Sequence, residues 1–273
     1  MIPWVSNFII YTLGYFYNRF KTKNFFSKNS HENRNIIDEI KDKGFIKIEK
    51  FVDDNACEEM KDGISQFINS NSSLVSVDDV ESDFRIFGSE HINKKINDHF
   101  NNNFIRNICQ RYLGCEIDCL MTMANRVIFK ENNAGSGGGW HKDSPYRQFK
   151  SILYLSDVNE MNGPFELIKN SNKFWWNITH INFLKKKVLE TRFSNQEIDI
   201  LMKKKNVKKI TLLGKKGTLL LLDTSLIHRG SPLRMSERYA LTNYLYPSRQ
   251  VPMYENHFQP RLKNDLHFDK SNS

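Results

Sequence analysis

The sequence predicts an α+β domain in which an α-rich first part packs on a double-sheet β-roll. Three observations predict it. Up to about Tyr112 the apolar residues recur at helical spacing, whereas after Gly114 short apolar runs alternate with turn residues. The run Leu219 to Leu222 is apolar at every position, as a strand covered on both faces requires. No unit of about 20 to 50 residues repeats, which sets solenoids and propellers aside.

Residues Met1 to Asn18 carry no charged side chain and are rich in aromatics, and Arg19, Lys21 and Lys23 follow. A spanning helix needs about 20 mostly apolar residues, and this run is shorter and is broken by Ser6, Asn7, Thr12 and Gly14. A secretory signal would place its charges before the run and a small-residue cleavage site after it; this order is reversed. Two readings stand: a helix packed on the domain, or one lying in a bilayer interface with its basic residues on lipid phosphates. Ser30 and Glu32 then open a helix that carries Ile36, Ile37 and Ile40 on one face and stops at Gly44. A strand from Phe45 to Phe51 comes next. Asp53 or Asp54 caps a helix with Met60, Ile64, Phe67 and Ile68 at helical spacing, ending in the Asn and Ser run from Asn69 to Ser73. A last helical stretch, His91 to about Tyr112, completes a first part without evident chemistry of its own. Strands are expected at Cys119 to Phe129, Ser151 to Leu155, Gly163 to Ile168, Thr218 to Leu222 and Tyr239 to Tyr246. A lysine-rich helical insertion, Phe174 to Lys209, interrupts them.

Composition narrows the class. With 273 residues, 39% of them apolar and 26% charged, the chain can bury a core without disulfides or structural metals. Cys57, Cys109, Cys115 and Cys119 form no CxxC pair, so zinc is not expected, and four reduced thiols fit a cytoplasmic compartment. The net charge of +9 and pI near 9.2 suit a nucleic acid, an anionic membrane face or an acidic small molecule. Nucleic acid is not expected, because no aromatics interleave the lysine runs at 203–205 and 208–209 as a base-stacking platform would require.

The chemistry centres on Gly135-Ser136-Gly137-Gly138-Gly139-Trp140-His141-Lys142-Asp143. In extended chain, residues two apart share a face, so His141 and Asp143 can offer an imidazole and a carboxylate to one ion. Two histidines and one carboxylate hold Fe(II) in oxygenases and leave coordination positions open. His228 is the best third ligand, since it follows an apolar strand and the turn-prone Asp223, Thr224 and Ser225.

The Gly-rich approach, the HxD, the Asn162-Gly163-Pro164-Phe165 turn and the ten-residue step from His228 to Arg238 occur in order. Between Leu120 and Pro247 the chain thereby resembles the phytanoyl-CoA dioxygenase family of Fe(II) and 2-oxoglutarate oxygenases. The resemblance implies a double-stranded β-helix core, jelly-roll and cupin-like, with the α-rich N-terminal part packed on it. It implies His141, Asp143 and His228 as metal ligands and Arg238 as the grip on the distal carboxylate of 2-oxoglutarate, which a guanidinium fork suits. Asn125, Arg126 and Arg85 roughly match polar pocket residues of the family. Where the family often has Gly-Ser-His after its turn, this chain has Asn170, Ser171 and Asn172. Asp143 supplies the carboxylate that a halide-binding variant would lack.

The expected organisation is an aromatic segment at 1–24, a single oxygenase domain at 25–250 containing the insertion at 174–209, and a tail at 251–273. The expected activity is a hydroxylase that uses Fe(II), 2-oxoglutarate and O2 on a small acidic or acyl or glycan-type substrate, releasing succinate and CO2. The alternative is a catalytically silent metal-binding roll serving as a membrane-associated or anion-binding module.

Overall fold

The computed structural model describes residues 3–20, 33–259, 261 and 262. In chain order the elements are α1 (Pro3–Phe20), α2 (Arg34–Lys43), β1 (Phe45–Ile48), α3 (Asp54–Ser70), β2 (Ser76–Val77), β3 (Asp83–Phe87), α4 (Lys94–Phe100), α5 (Asn103–Leu113), β4 (Ile117–Ile128) and β5 (Phe149–Tyr154). Then come β6 (Phe165–Ile168), α6 (Phe174–Phe183), α7 (Asn195–Met202), β7 (Lys209–Leu212), β8 (Leu219–Asp223), β9 (His228–Gly230), β10 (Glu237–Pro247) and α8 (Val251–Tyr254).

Local signals set most boundaries. Asp53 caps α3 by accepting from the Ala56 amide at 2.9 Å, and Gly44 ends α2 at φ 85°, the left-handed turn that glycine tolerates. The expected opening of α2 at Ser30 and Glu32 lies outside the described residues. The stretch expected as one helix from His91 to Tyr112 is two, because the Asn102 side chain accepts from the Ile105 amide at 3.1 Å and starts a new helix there. The first strand stops at Ile48 rather than reaching Phe51.

A seven-stranded antiparallel sheet, in the order β1-β8-β5-β10-β4-β3-β2, faces a three-stranded sheet in the order β7-β6-β9. Three strands of the large sheet, β1, β2 and β3, come from the α-rich first part, where the sequence reading expects only β1. In the small sheet, β7 closes the insertion and pairs with β6. The apolar run in β8 has the two-sided cover it predicts. Leu219 and Leu221 pack with Ile40, Ile64 and Ile108 on the helical side, while Leu220 and Leu222 pack with Phe165 and Leu167 of the small sheet. All four free cysteines are unpaired thiols.

Strand alternation decides which side chains enter the space between the sheets. The pairings align Arg85, Asn125, Ala240 and Tyr154 across β3, β4, β10 and β5, and four residues along β10 and β5 they align Tyr244 with Lys150. These residues line one cavity of about 380 Å³.

Candidate metal centre

Glycine makes the approach to the cavity possible. Gly135 and Gly137 have φ of 74° and 91°. A Cβ on Gly135 would stand 2.1 Å from the Gly230 carbonyl oxygen, and one on Gly137 would stand 2.6 Å from His141 Cε1. The chain can therefore fold tightly against β9. There His141 and His228 exchange backbone hydrogen bonds of 2.9 and 2.8 Å, and the Asp143 amide donates to the Thr224 carbonyl at 3.0 Å. This short ladder brings residues far apart in sequence onto one face.

The resulting cluster is compact. One ligand atom from each of His141, Asp143 and His228 lies within 4.8 Å of the others, and among the described residues this is the group with metal-binding composition. His141 Nε2 is 3.7 Å from Asp143 Oδ1, and His228 Nε2 is 3.8 Å from Asp143 Oδ2. Both distances exceed hydrogen-bond length. Each Nδ1 instead sits 2.8 Å from a backbone carbonyl, of Gly139 for His141 and of Leu226 for His228. A proton on Nδ1 leaves the Nε2 lone pairs directed at a common point, the tautomer a metal needs. Burial lowers the basicity of both rings, taking His228 to about 3 with help from His141, so both stay neutral at physiological pH. Burial alone would raise Asp143, but the Lys150 ammonium beside it outweighs that and holds the carboxyl well below the usual range. Asp143 Oδ2 is buried, with the Lys150 ammonium 2.9 Å away. Two neutral imidazoles and an ionised carboxylate are a donor set that fits a divalent cation.

Arg238 projects from β10 into the same cavity, buried, and donates through Nη1 to the Gly163 carbonyl. Its Nε has no partner. Arg85 also lines the cavity, but Asp83 holds it through Nε at 2.9 Å and Nη2 at 2.5 Å. Asn125 lines it as well and donates to Asp83 Oδ1 at 3.3 Å and Ser136 Oγ at 3.2 Å.

Arg126 is a correction. As the neighbour of Asn125 on β4 it points to the opposite face, where it pairs with Glu237 at 2.9 Å and lies over the Tyr239 ring at 5.6 Å. It is not a cavity residue. The Asn170-Ser171-Asn172 departure has a local use: Ser171 Oγ accepts from the Ile227 amide at 2.7 Å, and Asn172 donates to Asp223 Oδ2 at 3.0 Å, fixing the turn that delivers His228.

The sequence reading missed two cations. Lys150, buried, reaches 2.9 Å from Asp143 Oδ2 as an ion pair without hydrogen-bond alignment. Arg192, from the insertion, lines the cavity and donates to the Gly137 carbonyl at 2.7 Å. The alternation of β5 placed position 150 on the same face as Ile152 and Tyr154, but which face pointed inward depended on the register. Nothing local marked Arg192. Tyr254, His257 and Phe258 complete the wall from the C-terminal side.

A double-sheet roll that gathers two histidines and a carboxylate on one face of its inner cavity has the design of a mononuclear non-haem iron oxygenase. The chain belongs to the phytanoyl-CoA dioxygenase family, whose model matches residues 40–238, and so is an enzyme of the Fe(II)- and 2-oxoglutarate-dependent class. Solved structures carry the same fold at low sequence identity. The epimerase SnoN, in complex with Fe3+, α-ketoglutarate and nogalamycin RO, is 10% identical with a TM-score of 0.59, covering 78% of this chain and 83% of its own. The carbocyclase SnoK from nogalamycin biosynthesis is 9% identical with a TM-score of 0.55, over 79% and 84%. HygX from Streptomyces hygroscopicus, with nickel and 2-oxoglutarate bound, is 11% identical with a TM-score of 0.55, over 81% and 88%. No curated protein sequence matches the chain.

Proposed function

We propose that this protein is a dioxygenase that hydroxylates a small acidic molecule, with His141, Asp143 and His228 as the iron ligands and Arg238 as the grip on 2-oxoglutarate. The observation that carries this reading is the pairing, in one cavity, of the three-residue cluster with a buried arginine whose Nε lacks a partner. Iron bound with 2-oxoglutarate supplies O2 activation coupled to decarboxylation of the cosubstrate to succinate and CO2.

The chain's own contribution is positional and electrostatic. The Nδ1 contacts to Gly139 and Leu226 fix both imidazoles, while Phe165 stacks 5.1 Å from the His228 ring and covers it. The Gly163 carbonyl holds Nη1 of Arg238, which leaves Nη2 and Nε to meet a carboxylate as a fork. Once Asp143 is committed to the metal and Arg238 to the cosubstrate, Lys150 and Arg192 remain as cations on the wall, whereas Arg85 is already neutralised by Asp83. That surplus favours an anionic substrate. A cavity of about 380 Å³ suits a small molecule.

The test is an anaerobic titration of purified protein with Fe(II) and 2-oxoglutarate, followed by O2 and mass analysis of products from a panel of acidic metabolites. One Fe(II) per chain and succinate release coupled to a product heavier by one oxygen are expected. Unchanged iron stoichiometry in His141→Ala would sink the ligand assignment, and an isomerised or cyclised product would replace hydroxylation.

A further inference from the structure

Among the described residues no helix is long and apolar enough to cross a membrane. Yet α1 is built with two different sides. One side is anchored: Tyr11 is 2% exposed, stacks on Tyr146 at 5.8 Å and on Phe174 at 5.4 Å, and accepts from Asn177 Nδ2 at 3.0 Å. Asn7 donates to Asn182 Oδ1 and to the Lys186 carbonyl, both at 2.8 Å, and accepts from the Val188 amide at 3.1 Å. A helix spending its two buried polar side chains on fixed partners in α6 and the following turn holds one orientation.

The other side carries Ile9, Ile10 and Leu13, exposed by 46%, 46% and 67%. Their spacing puts them on one stripe of the helix. The surface continues onto α6, where Trp175 is 68% exposed and its ring lies 6.4 Å from that of Phe8. Leaving several such side chains together in water is costly unless something covers them.

Charge selects the cover. The turn that Asn7 holds bears Lys185 and Lys187, both exposed, and past Phe183 the ammonium of Lys204 sits 3.7 Å from the Phe183 ring. In the sequence Arg19 is the last residue but one of the helix, Lys21 and Lys23 come after it, and the whole chain carries +9. An apolar stripe with a tryptophan beside it and lysines along its flank matches the layers of a bilayer interface: acyl chains, then carbonyls, then anionic phosphates. We propose that α1 and the exposed edge of α6 form a docking face for an anionic membrane surface. The face lies outside the stretch matched by the family model on its α1 side. The protein lies on the bilayer and does not span it. Docking also orients the cavity, because α1 stacks on Tyr146, which lies in the loop between Asp143 and β5.

The experiment uses the full chain with vesicles of phosphatidylcholine alone or mixed with phosphatidylglycerol. The protein should sediment with the mixed vesicles, less so as salt rises, and poorly with the neutral ones. Ile10→Asp with Leu13→Asp should weaken binding by about 100-fold, since two apolar anchors become charges. Iron stoichiometry and melting temperature should stay unchanged in that variant, because neither side chain is buried or near the metal cluster. Absence of sedimentation, equal binding to neutral vesicles, or binding indifferent to the double substitution would each overturn the proposal. A self-association that the double substitution abolishes, without vesicle binding, would assign the face to a second copy instead. Iron binding is read on the same samples, so failure of the docking face is distinguishable from failure of the oxygenase assignment.

Discussion

Lys150 Nζ lies 2.9 Å from Asp143 Oδ2, so the carboxylate proposed as an iron ligand already has a cation against it inside the protein. Both groups are largely buried, and removing one partner of such a pair leaves an uncompensated charge.

Replacing Lys150 by Met should therefore lower the melting temperature of the metal-free protein, by an amount on the order of 3 kcal/mol of stability. A divalent cation restores a partner for Asp143, so the rise in melting temperature on adding Fe(II) should be larger in Lys150→Met than in the parent. Paired melts in chelator and in anaerobic Fe(II) measure both. Equal gains in the two proteins would show that Lys150 and the metal do not share the carboxylate.

Arg238 tests the cosubstrate grip. Losing one side of a charge-assisted pair in a closed cavity costs a few kcal/mol, so Arg238→Ala should weaken 2-oxoglutarate binding by about 100-fold or more while iron binding survives. Arg238→Lys should recover part of the loss, since an ammonium keeps the charge without the fork. Succinate release against 2-oxoglutarate concentration, at saturating iron, distinguishes the three. An unchanged apparent affinity in the alanine variant would move the grip to Arg85 or Lys150.

Gly137 tests the tight approach to the cluster. Alanine there combines a φ of 91° with a methyl carbon 2.6 Å from His141 Cε1, so the ring must shift. Fe(II) affinity should fall by about 10-fold or more while the far-ultraviolet circular dichroism stays that of the parent. Isothermal titration with Fe(II) or Mn(II) reads the affinity, and parental affinity would mean that the ring accommodates the methyl.

His99 gives the pH dependence. It is buried, neither ring nitrogen has a hydrogen bond, and burial takes its basicity down to about 4. The folded state therefore refuses a proton that the unfolded chain accepts near pH 6.5. Stability is fully present above that value, falls as the pH drops, and levels for this group near pH 4, a loss of about 3 kcal/mol. His99→Phe should flatten denaturant midpoints between pH 6.5 and 4. A slope unchanged by the substitution would assign the acid sensitivity to other groups.

The glycine-rich approach and the HxD were legible because their meaning is local. Two-residue alternation sets His141 and Asp143 on one face, and only glycine tolerates the backbone that leads there. The β8 run was legible for a similar reason, since four successive leucines have no solvent face to offer. Arg126 misled because adjacent strand positions look alike in sequence until the register decides which one faces in. β3 and β7 were missed because short strands that complete an existing sheet are specified by their partners more than by their own composition.

The sequence by itself determined the class of fold and singled out, by motif and spacing, His141, Asp143, His228 and Arg238, which the fold gathers in one cavity. The tertiary structure alone decided that Lys150 meets Asp143, that Arg192 comes from the insertion to the cavity wall, and that α1 buries Tyr11 while turning Ile9, Ile10 and Leu13 outward. These contacts join segments distant in the chain. Their existence depends on sheet register and helix packing, which the whole set of burial and hydrogen-bond requirements settles together rather than any one stretch of residues.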